Sequence, residues 1–187
     1  MKSIISFLEE HLGKLEAGWL SLEMDCQHDF QVNLFDDVPF EGATTYSTIG
    51  VSEYPLWDAK HTRFFQEAII ISKKEFGVEN IPGILMQVAD RLLASKHLML
   101  RGNVIGPAGP LFESSKLEAL YVTSPVYFNE EFYVFQQSSE KEVIMVWLVP
   151  ITKNEAAYIT EFGWEQFEEL LEIVDPDLTD FHRDSIV

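Results

Sequence analysis

The chain lacks most of the features that would commit it to a particular chemistry. It holds one cysteine, Cys26, in 187 residues, so no intramolecular disulfide can form. A lone thiol suits a reducing compartment. No window approaches the run of about 18 apolar residues that a membrane-spanning helix requires. The opening stretch MKSIISFLEEHLGKLEAG carries Glu9, Glu10 and His11 where a secretory signal would be apolar. Basic residues are scarce, 13 against 31 acids, for a formal net charge of −18. That field disfavours nucleic acid and anionic membrane surfaces and favours encounter with a basic protein. The expectation is a soluble, cytoplasmic chain with a protein partner, no direct nucleic-acid contact and no membrane contact.

Catalytic signatures are missing as well. There is no GxSxG elbow, no GxxxxGK[ST] phosphate loop and no HExxH helix. Gly102, Gly106 and Gly109 fall in GNVIGPAGP, which has no lysine at the phosphate-loop offset and reads as a solvent or contact loop without regular structure. Cys26 and His28, beside Asp25 and Asp29, have no second cysteine or histidine cluster to complete a metal set. Asp58 and His61 would face each other on a helix, and Asp180 and His182 have a similar spacing, but no nucleophile accompanies either pair. Catalytic, cofactor-binding and metal-binding residues are therefore expected to be none.

What the chain does have is apolar bulk and clear element signals. With 47% hydrophobic residues and 14 phenylalanines it can fill a core without a disulfide or a metal. Residues 3–12 read as an amphipathic helix, with Ser3 at its cap and Gly13 beyond its end. Alternation at Phe30, Val32 and Leu34, the stretch 44–51 and the stretch 63–72 predict three strands. A central helix follows, with Asn80 as its cap, Pro82 in its first turn, apolar residues from Ile84 to Leu93, and Lys96 and His97 near its end. Strands are expected at 117–123, 131–136 and 142–149, the last meeting Pro150. Thr152 and Glu155 then form a capping box for a helix ended by Gly163. A second helix, Trp164 to Val174, would turn Trp164, Phe167, Leu171 and Val174 inward. This order predicts an α+β fold with one mixed or mainly antiparallel sheet flanked by helices. A single domain over 1–187 is expected, with an N-terminal helix at about 3–12 and an acidic C-terminal segment at about 152–187.

The charge is unevenly spread. Residues 1–41 carry a net −7 and residues 152–187 a net −8, leaving −3 for everything between. Carboxylates beside aromatics describe the rim and anchors of a protein-binding face, although core packing accounts for most of the aromatics. The candidates are Glu165, Glu168, Glu169 and Glu172 on the last helix with Asp175 and Asp177 beyond it, then Asp36, Asp37, Tyr54 and Trp57.

Three stretches carry a family resemblance. Thr45 to Ser52 followed by Tyr54-Pro55-Leu56, the segment Leu148 to Ala156, and the ending Asp180 to Val187 resemble the Suppressor of fused family, in the order that family has. The resemblance runs from about residue 28 onward. Animal members are two-domain regulators that bind transcription factors, and this chain resembles the single-domain bacterial type. The resemblance implies an immunity protein, or antitoxin, that masks a toxin such as a nuclease, and it supplies no catalytic residues. A regulatory scaffold for a host protein is the alternative, and a hydrolase using the Asp/His pairs is a third.

Overall fold

The computed structural model describes residues 3–24 and 26–187; Asp25, grouped above with Cys26 and His28, lies outside them. In chain order the elements are α1 (Ile4–Leu12), β1 (Ala17–Leu20), β2 (Gln31–Asp36), β3 (Ala43–Ile49), β4 (Leu56–Trp57), β5 (Arg63–Lys73), α2 (Ile81–Ser95), β6 (Val104–Ile105), β7 (Leu117–Thr123), β8 (Val134–Ser138), β9 (Lys141–Thr152), α3 (Lys153–Phe162) and α4 (Trp164–Val174). The fold is α+β with mixed, mainly antiparallel strand pairing, as expected. The chain divides into two compact units, Met1–Met99 with Ser124–Trp147, and Leu100–Thr123 with Leu148–Val187.

In the first unit the strands lie in the order β1-β2-β3-β5-β9, with β4 added to β5 and β8 to β9. All pairs are antiparallel except β5 with β9, where Phe65 to Ile69 run alongside Val143 to Trp147. Every residue of β3 is buried, so both faces of the sheet are covered there. α1 contacts β3 and β8, and α2 contacts β2, β3 and β5. α1 begins at Ser3, whose hydroxyl accepts from Ser6 N–H, and ends at Gly13. Its Phe7 stacks on Phe132 and Phe135. α2 departs from the expected cap: Asn80 already has near-helical angles, so its side chain does not fold back onto the first turn. Lys96 closes that helix in the left-handed conformation, and the chain then bridges to Trp57.

Around residues 131–136 a short turn at Glu130–Phe132 comes first, because Phe132 N–H closes onto Asn129 C=O, and the strand starts at Val134. The C-terminal strand also runs further than expected. β9 passes through Pro150 to Thr152, as a strand can where no neighbour needs the N–H that proline lacks.

In the second unit, the Gly- and Pro-rich loop contains a short strand after all. Val104 and Ile105 pair with Tyr121 and Leu120, and Val122 N–H donates to Asn103 C=O just outside that pair. Two β-branched residues between the glycines are enough to extend the ladder. α3 packs on β7 and on α4. α4 seats itself through Phe167, which meets Tyr121 edge-on. Of the four residues expected inward on α4, only Phe167 is fully buried, and Val174 is 49% exposed.

Candidate functional site

Helix α4 carries four carboxylates, Glu165, Glu168, Glu169 and Glu172, and no basic residue. Glu165, Glu169 and Glu172 are all exposed, and their spacing of four and then three residues places them on one stripe. Ile173, one position beyond Glu172, continues that stripe with 79% of its surface in solvent. The helix has no basic residue in its last turn, and Asp175 follows as its C-cap in the left-handed conformation at φ 47°. Like charges four apart destabilise a helix by about 0.2–0.5 kcal/mol, and acids near its C-terminal pole are unfavourable on a similar scale. Nothing within the helix offsets these costs, and from outside it Arg101 lies within electrostatic reach of Glu172. Asp177 is exposed, yet its Oδ1 accepts from Thr179 N–H at 3.0 Å and from Thr179 Oγ1 at 2.6 Å, which fixes the turn after the helix.

Glu168 differs from its neighbours. Its Oε1 accepts from Arg101 Nε at 3.0 Å, Tyr121 OH at 2.7 Å and Thr123 Oγ1 at 3.2 Å, while Arg101 also grips Oε2. Burial pushes this carboxyl up, but the Arg101 and Tyr121 hydrogen bonds outweigh it and hold the group below its ordinary value. Burial and the carboxylate together push the Tyr121 hydroxyl well above its usual range. The Arg101 guanidinium also lies over the Trp164 ring at 5.1 Å. Gly102, at φ +91°, sits so close to that ring that an added Cβ would be 2.5 Å from it. Glu168 therefore orients α4 within its unit, while Glu165, Glu169 and Glu172 point to solvent.

A second carboxylate–arginine contact anchors the C-terminal tail. Arg183 donates to Glu155 through NH1 at 2.6 Å and NH2 at 2.9 Å, and its NH2 also reaches Pro150 C=O at 3.1 Å. Glu155 simultaneously completes the capping box at Thr152 and accepts from Ile186 N–H at 3.2 Å. The stretch from Pro150 to Glu155 and the ending around Arg183, both singled out in the sequence, are thus joined as scaffold.

The first-unit candidates separate into two places. Asp36 and Asp37 lie at one end of the β2–β3 hairpin, where Asp36 pairs with Thr44. Tyr54 lies at the other end, its hydroxyl receiving the Asp29 N–H at 3.2 Å, beyond the Gln31–Ile49 pair. Five strand residues intervene, roughly 17 Å. Asp37 accepts from Gly42 N–H at 2.9 Å and Lys74 Nζ at 2.8 Å, two bonds that hold its carboxyl below the usual range. Asp36 accepts from Thr44 Oγ1 at 3.1 Å. Trp57 is exposed, but its backbone is tied on both sides, to Lys96 C=O and Leu98 N–H.

Neither Asp/His pair lies on a helix. Asp58 to Thr62 is the loop of a hairpin rather than a helix, and Asp58 Oδ1 accepts from Lys60 N–H and Thr62 N–H. Asp180 Oδ1 accepts the backbone N–H of His182. His28 Nδ1 lies 3.0 Å from Asp90 Oδ1, and its ring meets Tyr54 edge-on. Among the described residues no group of three His, Cys, Asp or Glu side chains could hold a metal ion. No helix among them is long and apolar enough to cross a membrane.

A family model described as Suppressor of fused protein (SUFU) matches residues 27–184. Immunity protein YqcF of Bacillus subtilis (strain 168) is 24% identical over 152 residues, covering 81% of this chain and 78% of the relative. The crystal structure of a Suppressor of fused homolog from Neisseria gonorrhoeae is similar at a TM-score of 0.77 and 20% identity, over 98% of this chain and 94% of that one. Drosophila Suppressor of Fused matches at a TM-score of 0.69 and 13% identity, over 99% of this chain and 50% of that longer one.

Proposed function

The chain belongs to the Suppressor of fused family, and on that premise we propose that it is an immunity protein that binds a basic toxin domain, such as a nuclease, and covers its active site. The distant relationship to an immunity protein supports a toxin as the partner. One observation carries the rest: the exposed stripe Glu165, Glu169, Glu172 and Ile173 on α4, which combines carboxylates that no basic residue of the helix offsets with an apolar side chain left in water. A basic partner would relieve the like-charge repulsion along the helix and dehydrate the isoleucine in one step. Carboxylates at that spacing also suit a cleft built for phosphates, because both present negative charge to the same arginines and lysines. The chain acts in this reading by occlusion and performs no reaction.

The reading is tested by co-expression. The gene beside that of this protein is expressed alone and then together with it. Growth arrest by the neighbour, relieved by this chain and not by a variant carrying Glu165→Lys, Glu169→Lys and Glu172→Lys, is the expected result. A neighbour that is harmless, or equal protection by the variant, contradicts it.

A further inference from the structure

The first unit holds a second exposed cluster that sequence order conceals. Phe40, in the loop between β2 and β3, is 46% exposed, and its ring meets Tyr127 edge-on with centroids 5.9 Å apart. Tyr127, 38% exposed, in turn covers Trp147, which is fully buried, at 4.9 Å. Val126 beside it is 55% exposed. The result is an aromatic ladder that rises from the core and ends in water.

The loop that presents Phe40 is held in place. Gly42 N–H donates to Asp37 Oδ1 at 2.9 Å, Thr45 Oγ1 donates to Val38 C=O at 2.7 Å, and Ala43 N–H donates to Phe40 C=O at 3.1 Å. A ring fixed this way gives up little conformational entropy when something covers it. Around it stand Asp36 and Asp37 on one side and Glu41 and Glu75 along a hollow of about 290 Å³ that Phe40 also lines. Lys73 and Lys74 line the same hollow, and Lys74 is engaged with both aspartates, which leaves the four carboxylates in excess over the two lysines.

We propose that Phe40, Val126 and Tyr127 form the anchor of a docking surface for a basic protein, with an arginine side chain of that partner lying across the two rings and the surrounding carboxylates as its rim. The occupant follows from charge complementarity. Exposed aromatic faces attract guanidinium groups, and a carboxylate rim on a chain of net charge −18 selects a basic partner over an acidic or purely apolar one. The inference rests on the reading of a basic toxin partner and adds the aromatic half of the surface that Asp36 and Asp37 lacked.

The test is a nuclear magnetic resonance titration of the full chain with acetyl-hexa-arginine amide, and separately with the hexa-lysine analogue. Saturable shifts are expected at Phe40, Gly42, Val126 and Tyr127, stronger with arginine. Affinity at these positions should fall about fivefold in Phe40→Ser, the worth of one exposed cation–π contact. The variant's spectrum without peptide should change near the loop alone, which separates lost contact from lost folding. Shifts confined to Glu165–Ile173, or an affinity unaffected by Phe40→Ser, overturn the docking surface and leave the basic-partner reading standing. No shift anywhere with either peptide overturns both.

Discussion

Replacing Arg183 by methionine removes the counter-ion of a carboxylate that has no access to water. Glu155 is 0% exposed, and two of its hydrogen bonds come from that guanidinium, at 2.6 and 2.9 Å. Without Arg183 it keeps the backbone donors at Thr152, 2.7 Å, and Ile186, 3.2 Å, but no positive charge. Breaking a buried pair from one side costs about 3–5 kcal/mol, mostly the penalty of the charge left behind. With urea slopes of about 2 kcal/mol/M, the unfolding midpoint should fall by roughly 2 M. If the stranded charge is the cause, Glu155→Gln in the Arg183→Met background should recover more than half of the loss, since the amide oxygen can still accept from the Thr152 N–H and the side chain buries no charge. Equilibrium urea unfolding followed by circular dichroism reads both values. A loss under about 1 kcal/mol, in the range of exposed salt bridges, would show that the stranded charge costs little, and so would a double variant no more stable than the single one.

Glu67 gives a pH-dependent counterpart. It is fully buried on β5, accepting from Thr48 Oγ1 at 2.6 Å, Ser52 Oγ at 2.7 Å, and the Gly50 and Ser52 N–H groups at 2.9 and 3.0 Å. Burial pushes its carboxyl up despite those donors. A group raised on folding stabilises most below its unfolded value, near 4.5, and that contribution is lost as pH rises through the folded value. The stability of Glu67→Gln relative to the parent should therefore increase from pH 4 upward, and a flat difference would exclude the mechanism. Gly102→Ala must strain a positive φ and drive a methyl into Trp164, so a loss of about 2–3 kcal/mol is expected in thermal unfolding, with unaltered stability as the contrary result. Glu172→Lys places a cation at the C-terminal pole of α4 and should stabilise the chain by about 0.3–1 kcal/mol while weakening partner binding. A variant that loses stability would show that the stripe's charge is already matched within the fold.

Local signals in the sequence carried the elements whose logic is local. Ser3 and Gly13 bracket α1, Thr152 and Glu155 form their capping box, and β7 spans the expected 117–123. Misreadings occurred where tertiary pairing overrides local chemistry. Val104 and Ile105 become a strand because β7 lies beside them, and β9 carries Pro150 in extended backbone. The candidate site was half legible. The spacing of Glu165, Glu169 and Glu172 is visible in one dimension, whereas the 79% exposure of Ile173 beside them emerges only in the structure. Glu168 looked like its neighbours because its partner Arg101 is 67 residues away. Asp36 and Asp37 were grouped with Tyr54 and Trp57 by sequence proximity, whereas the aromatics nearer to them are Phe40 in the adjoining loop and Tyr127, brought in from far along the chain.

In the proposed function, acidic side chains guide this protein onto a basic toxin domain. The most direct measurement is the association rate with the purified product of the neighbouring gene, followed by stopped-flow fluorescence from 50 to 500 mM salt. The rate should fall at least about tenfold over that range, with a weaker slope for the Glu165→Lys, Glu169→Lys, Glu172→Lys variant. An association rate indifferent to salt, and equal in the two proteins, would contradict it.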